Sequence, residues 1–281
     1  MSISGTEYVT EPHGLTRLLA DAEVTGADAI EVWYPENFGD DVPADIRMLR
    51  NSGVPVACVS SGSELGKADV DRDIALLRAA IDVGHRLGAP VTNTYFGGPG
   101  WRDDRKSIDR YARNVAGCLD LASELGLTVV LENEFDAFGH DPHRGDPSRR
   151  PESLRRLVDT IDHPAFGLNF DASNMVCAGV QDVPGALDLL ADAVRYAHVK
   201  DVVPVVSQQA ALDGWTAYPD APAWWSTCPL GEGVVPWSSL FPGLVDRVTA
   251  ITLEPHAAPH HRTAAFGHAM RTCRGWLARR S

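Results

Sequence analysis

The chain has 281 residues and a mass of 30.3 kDa, enough for one large α/β domain or two small ones. Apolar residues make up 44% and charged residues 22%, proportions of a globular chain rather than a disordered or fibrous one. With 25 Lys and Arg against 38 Asp and Glu the net charge is −13, which repels phosphate backbones at long range and argues against a nucleic-acid partner.

Met1 to Gly14 has neither a basic n-region nor an apolar h-region, so no signal peptide is expected. No stretch approaches the ~20 apolar residues of a membrane span. Cys58, Cys118, Cys177, Cys228 and Cys273 are odd in number and never form a C-x-x-C pair. That pattern points to reduced thiols in a cytoplasmic protein, not to a disulfide framework or zinc ribbon.

In chain order, strands are expected at Ile3–Val9, Ala29–Tyr34, Pro55–Ser61, Pro90–Phe96, Thr128–Glu134, Phe166–Ala172, Tyr196–Val202 and Ala250–Glu254. Most are Val/Ile/Phe/Thr-rich and continuously apolar, as strands buried on both faces are. Helical periods lie between them. Ile108, Tyr111, Ala112, Val115, Leu119, Ala122 and Leu125 share one face, as do Phe266, Ala269, Met270, Cys273, Trp276 and Leu277. Asp182 and Pro184 open a helix that is expected to carry Leu187, Leu190 and Val194, while Gly88 and Gly126 sit at helix C-termini.

Alternating βα units imply a parallel sheet, and eight of them fit a closed (β/α)₈ TIM barrel spanning residues 1–281 as a single domain. The rival, an open doubly wound sheet, usually brings a G-x-G-x-x-G turn after its first strand, and none is present; Gly97–Gly100 reads as a loop turn. Between Val203 and Val235 no helix is expected, yet Trp215, Tyr218, Trp224 and Trp225 crowd there among prolines. A loop that long, following a strand, would rise on the catalytic face as a lid or binding loop, or form a subunit contact.

The late strands end in ionisable groups: Leu131-Glu132-Asn133-Glu134, Asn169-Phe170-Asp171, His198-Val199-Lys200-Asp201 and Leu253-Glu254-Pro255-His256. Charges embedded in apolar strands are costly unless paired or bound to a metal. Glu132, Asp171, His198 and Glu254 offer three carboxylates and an imidazole, a set that suits Mn²⁺, Mg²⁺ or Co²⁺ better than thiolate-type zinc; the competing reading is a buried ion-pair network. Strand alternation puts Glu134 on the same face as Glu132, Lys200 on that of His198 and His256 on that of Glu254, as substrate-facing candidates. Trp33 either stacks on the substrate or fills the barrel rim, and Glu31 serves either structure or substrate. Asp201 is expected at the surface or tethering a loop. His256, His260 and His261 form a cluster beside Glu254 or belong to a solvated loop. His140, His143, Arg144, Arg149 and Arg150 either bind an anionic substrate group or form a solvated charged loop.

In this order the motifs resemble the xylose isomerase-like TIM barrels, the sugar isomerase/epimerase superfamily. They are Leu131-Glu132-Asn133, Phe170-Asp171-Ala172-Ser173-Asn174, His198-Val199-Lys200-Asp201, Leu230-Gly231-Glu232-Gly233 before Trp237, and Leu253-Glu254-Pro255. The resemblance runs from about residue 15 to the C-terminus. It implies one divalent ion, Mn²⁺ first with Mg²⁺ or Co²⁺ as alternatives, held by Glu132, Asp171, His198 and Glu254. It further implies that Glu132 and Glu254 shuttle a proton through a metal-stabilised enediolate of a small sugar or keto substrate, and that the chain assembles as a dimer or tetramer.

Two positions depart from the sugar epimerases: Asn174 stands where many carry a substrate-holding histidine, and Glu134 where relatives often carry histidine. Both widen the field toward the superfamily's lyases, including keto-sugar and 3-dehydroshikimate dehydratases and C-glycoside-cleaving enzymes. A third class is a metal-binding barrel without turnover, which the presence of both glutamates disfavours. The endonuclease IV-like branch uses a histidine-rich three-zinc site, whereas Ser60-Ser61, Tyr95-Phe96 and Asn174 occupy the matching strand ends here.

Overall fold

The computed structural model describes residues 1–11, 13–97, 105–135, 146–220 and 223–279. Eight parallel strands close a barrel: β1 (Ser2–Ile3), β2 (Ala29–Tyr34), β3 (Val56–Glu64), β4 (Val91–Tyr95), β5 (Thr128–Glu132), β6 (Phe166–Asp171), β7 (Val194–Val199) and β11 (Ala250–Leu253). Closure comes from β1, which pairs with β2 on one side and β11 on the other. Around it run α1 (Gly14–Thr25), α2 (Val42–Ser52), α3 (Asp71–Leu87), α4 (Arg105–Leu125), α5 (Pro151–Ile161), α6 (Ala172–Cys177), α7 (Val183–Leu189), α8 (Trp237–Val245) and α9 (Arg262–Ala278).

Most expected strands are present with ends moved by a few residues, and three differences have a physical cause. The opening strand stops at Ile3, and Gly5–Tyr8 turns as a 3₁₀ helix capped by Ser4, whose Oγ accepts from the Thr6 N–H. At Gly5 the chain runs against the Glu31 carbonyl and Asn37, so closely that a Cβ would meet them within 2.6 Å. The helix opened by Asp182 ends at Leu189, because Val194 already belongs to β7; the Asp182 cap itself forms, Oδ1 accepting from the Gly185 N–H at 2.9 Å.

The third difference lies beyond β7. The expected strand Tyr196–Val202 is broken at Lys200, whose carbonyl accepts from Ser173 Oγ at 2.6 Å and Trp237 Nε1 at 3.1 Å and so leaves the ladder. The chain then enters β8 (Asp201–Val205), β9 (Ala217–Asp220) and β10 (Ala223–Cys228), an antiparallel sheet in the order β8-β10-β9. The segment expected to be a helix-free loop therefore carries a short 3₁₀ turn at Gln208–Ala210 and is hydrogen-bonded in part into strands.

Alternation along each strand sorts the interior. Val129 and Leu131 join the large core between barrel and helices, whereas Val130 turns inward with Cys58, Val91 and Tyr196 to form a small apolar plug. Glu132 and His198 follow Val130 and Tyr196 by two residues and so occupy the next layer on the same inward face. Register does the rest: Glu132 pairs with Asn169, Asp171 with His198, and His198 with Thr252, which places Glu254 one inward step beyond the end of β11. A plugged barrel floor thus carries its polar groups at the C-terminal mouth.

Candidate metal centre

Glu132, Asp171, His198 and Glu254 meet at that mouth, each buried, with one donor atom from each lying within 4.8 Å of the others. Asp171 is held from two sides: its peptide N–H donates to Asn133 Oδ1 at 2.8 Å, and its Oδ1 caps α6 by accepting from the Asn174 N–H at 2.8 Å. Glu132 Oε2 accepts from Asn93 Nδ2 at 3.0 Å and Tyr95 OH at 3.1 Å. His198 turns Nδ1 toward Glu132 Oε1 at 3.0 Å and Glu254 Oε2 at 3.4 Å. Three carboxylate oxygens and one imidazole nitrogen in such reach form an oxygen-rich set that suits a hard or borderline divalent cation.

The charges are interlocked. Lys200 Nζ bridges Asp171 and Glu254, 2.8 Å from Glu254 Oε2. Burial opposes its charge, but Asp171, Glu254 and Glu132 outweigh that and hold the ammonium well above the ordinary lysine range. His198 is buried too, yet Glu132, Glu31 and Glu254 raise its imidazole well above the usual value. Against its own burial, Glu254 is held well below the carboxylate range by Lys200, His198 and His256. Glu134 goes the other way: burial and the neighbouring Glu132 push its carboxyl well up. A divalent ion held by these four residues would therefore share Asp171 and Glu254 with Lys200.

Above the cluster opens a cavity of about 400 Å³, within the range of small-molecule sites. Every substrate-facing candidate from the sequence reaches it: Trp33, Glu134, Asn174, Lys200 and His256 line it together with Glu132 and Glu254. Asn174 Oδ1 and Trp33 Nε1 are buried there without hydrogen-bond partners, so each has a polar atom to offer. The Trp33 ring stacks on Tyr95 with centroids 5.8 Å apart, and Tyr218 from β9 stands edge-on to His256 at 5.6 Å.

Other candidates fall elsewhere. His140, His143 and Arg144 lie outside the described residues. Arg149 is buried and Arg150 half-buried, both partnered, and neither lines the cavity. His260 is exposed and His261 packs edge-on to Trp215, and neither lines the cavity. Asp201 is not at the surface: it is buried and tethers a loop, accepting four backbone N–H bonds from Val202, Gly231, Gly233 and Val235. Sequence reasoning placed Tyr218 in the expected lid or binding loop and Tyr95 at a strand end, but gave neither Tyr95 nor Asn93 its role of bracing Glu132. Tyr95 and Asn93 share the inward parity of β4, a signal readable only once the barrel direction is known.

A family model described as xylose isomerase-like TIM barrel matches residues 19–278. The chain belongs to that family. Solved structures agree on the fold at low identity. A D-allulose 3-epimerase from Methylomonas sp., in complex with D-allulose, is 16% identical, covers 98% of this chain and 96% of its own, and superposes with TM-score 0.74. A probable 3-DHS dehydratase, AsbF, from Bacillus anthracis is 15% identical, with 96% and 97% covered and TM-score 0.73. A xylose isomerase-like TIM barrel protein from Mycobacterium smegmatis, in complex with magnesium, is 18% identical, with 96% and 90% covered and TM-score 0.72. No protein of curated function matches the sequence. Within the family fold, the four-residue cluster is where a divalent metal fits, and no helix among the described residues is long and apolar enough to cross a membrane.

Proposed function

We propose that this chain is a divalent-metal-dependent isomerase or epimerase acting on a small polyhydroxylated carbonyl compound by proton transfer at the carbon next to the carbonyl. The observation that carries this reading is that Glu132 and Glu254 both belong to the metal-fitting cluster and both line the cavity, from strands separated by β6 and β7. A carboxylate on each side of one site can take a proton from one position and return a proton to another.

A divalent ion held by Glu132, Asp171, His198 and Glu254, with Mn²⁺ preferred over Mg²⁺ or Co²⁺, would supply positive charge beside the substrate oxygen that becomes anionic, worth several kcal/mol. The remaining roles fall to the chain itself. Glu254, held ionised by its cationic neighbours, accepts the α-proton; Glu132 stands across the site to exchange the second. Glu134, half-buried with its carboxyl pushed up by burial and by Glu132, lines the same cavity as a further group for proton transfer. Lys200 orients the substrate carbonyl, and Asn174 Oδ1 and Trp33 Nε1 take substrate hydroxyl groups. The five cysteines are free and buried, which suits a cytoplasmic setting, and assembly as a dimer or tetramer belongs to the same reading.

The second reading is a lyase of the same superfamily, a keto-sugar or 3-dehydroshikimate-type dehydratase or a C-glycoside-cleaving enzyme. Asn174 favours it: the amide at this position is tied to Glu132 Oε1 and the Asn133 carbonyl, and cannot titrate as a histidine would. Proton NMR in D₂O with Mg²⁺-loaded protein and a panel of ketoses, inososes and 3-dehydroshikimate separates the two. Deuterium entering beside the carbonyl with the skeleton conserved is the expected result. Release of water or an aglycone moves the protein to the lyases, and no exchange with any member of the panel counts against both.

A further inference from the structure

Beneath the four candidate ligands lies a carboxylate that the proposed reaction does not use. Glu31, on β2, is fully buried in the barrel lumen. Its Oε1 accepts from Ser60 Oγ at 2.8 Å and its Oε2 from Tyr196 OH at 2.8 Å. The Tyr196 hydroxyl also contacts Thr252 Oγ1, which in turn contacts Ser2 Oγ, so four strands pin the carboxylate from below. The same Oε2 lies 3.0 Å from His198 Nε2.

His198 therefore faces two ways. Nε2 points down to Glu31, while Nδ1 points up to where Glu132 and Glu254 converge. Only an imidazole nitrogen without a proton can bind a metal, and a neutral ring keeps its proton on the other nitrogen. A carboxylate offers acceptors only, and Glu31 lies outside the four-donor cluster. We propose that Glu31 is a positioning residue that holds the His198 Nε2–H, so that Nδ1 is the metal-binding nitrogen. This rests on the metal-dependent reading above and adds to it the choice of tautomer and ring orientation. Ser60 and Tyr196 fit that role, because each gives Glu31 a hydrogen bond and leaves its remaining acceptor capacity for the imidazole.

Two measurements test it. In ¹⁵N-labelled protein loaded with Mg²⁺, long-range ¹H–¹⁵N correlation should show His198 Nε2 protonated and Nδ1 bare; the reverse assignment overturns the proposal and needs no variant. Calorimetric Mn²⁺ binding should weaken about tenfold in Glu31→Gln, which keeps an acceptor oxygen but loses the charge. It should weaken about a hundredfold in Glu31→Leu, which loses both, the span typical of such supporting groups. Circular dichroism and melting without metal establish that each variant is folded. Wild-type affinity in folded Glu31→Leu overturns the proposal while leaving metal dependence intact. Failure of the wild-type protein to bind any divalent ion instead removes the metal-dependent reading, and this inference with it.

Discussion

Lys200 is the residue on which the electrostatics of the centre turn. Its ammonium lies between Asp171 and Glu254, and all three are nearly or fully buried. Removing one partner of such a cluster leaves uncompensated buried charge, at a cost of about 3–5 kcal/mol. Lys200→Met should therefore melt well below the wild type in EDTA, and Mn²⁺ should recover more of the loss than it adds to the wild type. Thermal melts of both proteins with and without Mn²⁺ read this directly, and equal metal-induced rises would remove Lys200 as the counter-cation. At the reacting carbon, Glu132→Gln and Glu254→Gln should each slow deuterium wash-in by about 10²–10⁴-fold, the usual contribution of a positioned acid or base. Full-rate exchange in either variant would take that residue out of the proton path.

The element that separates this barrel from a plain βα succession is the sheet of β8, β9 and β10. It places Tyr218 on the cavity wall, and its first strand begins at Asp201. The Asp201 carboxylate gathers the turn at Gly231–Val235, Oδ2 accepting from Gly231 and Gly233 and Oδ1 from Val202 and Val235. An asparagine has one carbonyl oxygen and would aim its amide hydrogens at two of those N–H groups. Asp201→Asn should thus cost about 2 kcal/mol, the loss expected when buried donors are left unpaired, measured by urea unfolding. Gly233 must stay small for the same reason, since a Cβ there would fall within 2.5 Å of the Asp201 carboxyl carbon. At the sequence level the Leu230-Gly231-Glu232-Gly233 motif reads only as a family mark, while its partner Asp201 reads as either surface or tether.

At the scale of the molecule, metal and fold are linked. The four donors come from β5, β6, β7 and the end of β11, and the closed barrel brings them together. An unfolded chain cannot hold them in that arrangement, so a divalent ion binds the native state preferentially. Mn²⁺ at a thousand times its Kd should stabilise the protein by about 4 kcal/mol. Spread over 281 residues at roughly 2 cal/mol/K of unfolding entropy each, that is a rise in Tm of about 7 °C. A scan of Tm against Mn²⁺ concentration after EDTA stripping checks it, and a flat response would contradict the metal centre.

By itself the sequence determined the alternation of strand and helix, and with it the barrel, because strands buried on both faces and helices with one apolar stripe leave local patterns. It also determined the four candidate ligands, since each is an ionisable group at the end of an apolar strand, where only pairing or a metal offsets burial. Tertiary structure decided what those residues touch. Glu31 meets His198 across 167 positions of chain, and Tyr95 and Asn93 reach Glu132 from a neighbouring strand. It decided as well that β7 breaks at Lys200, because the bonds that stop the strand come from Ser173 and Trp237. Such contacts depend on register and closure, which are settled only when all eight strands are in place.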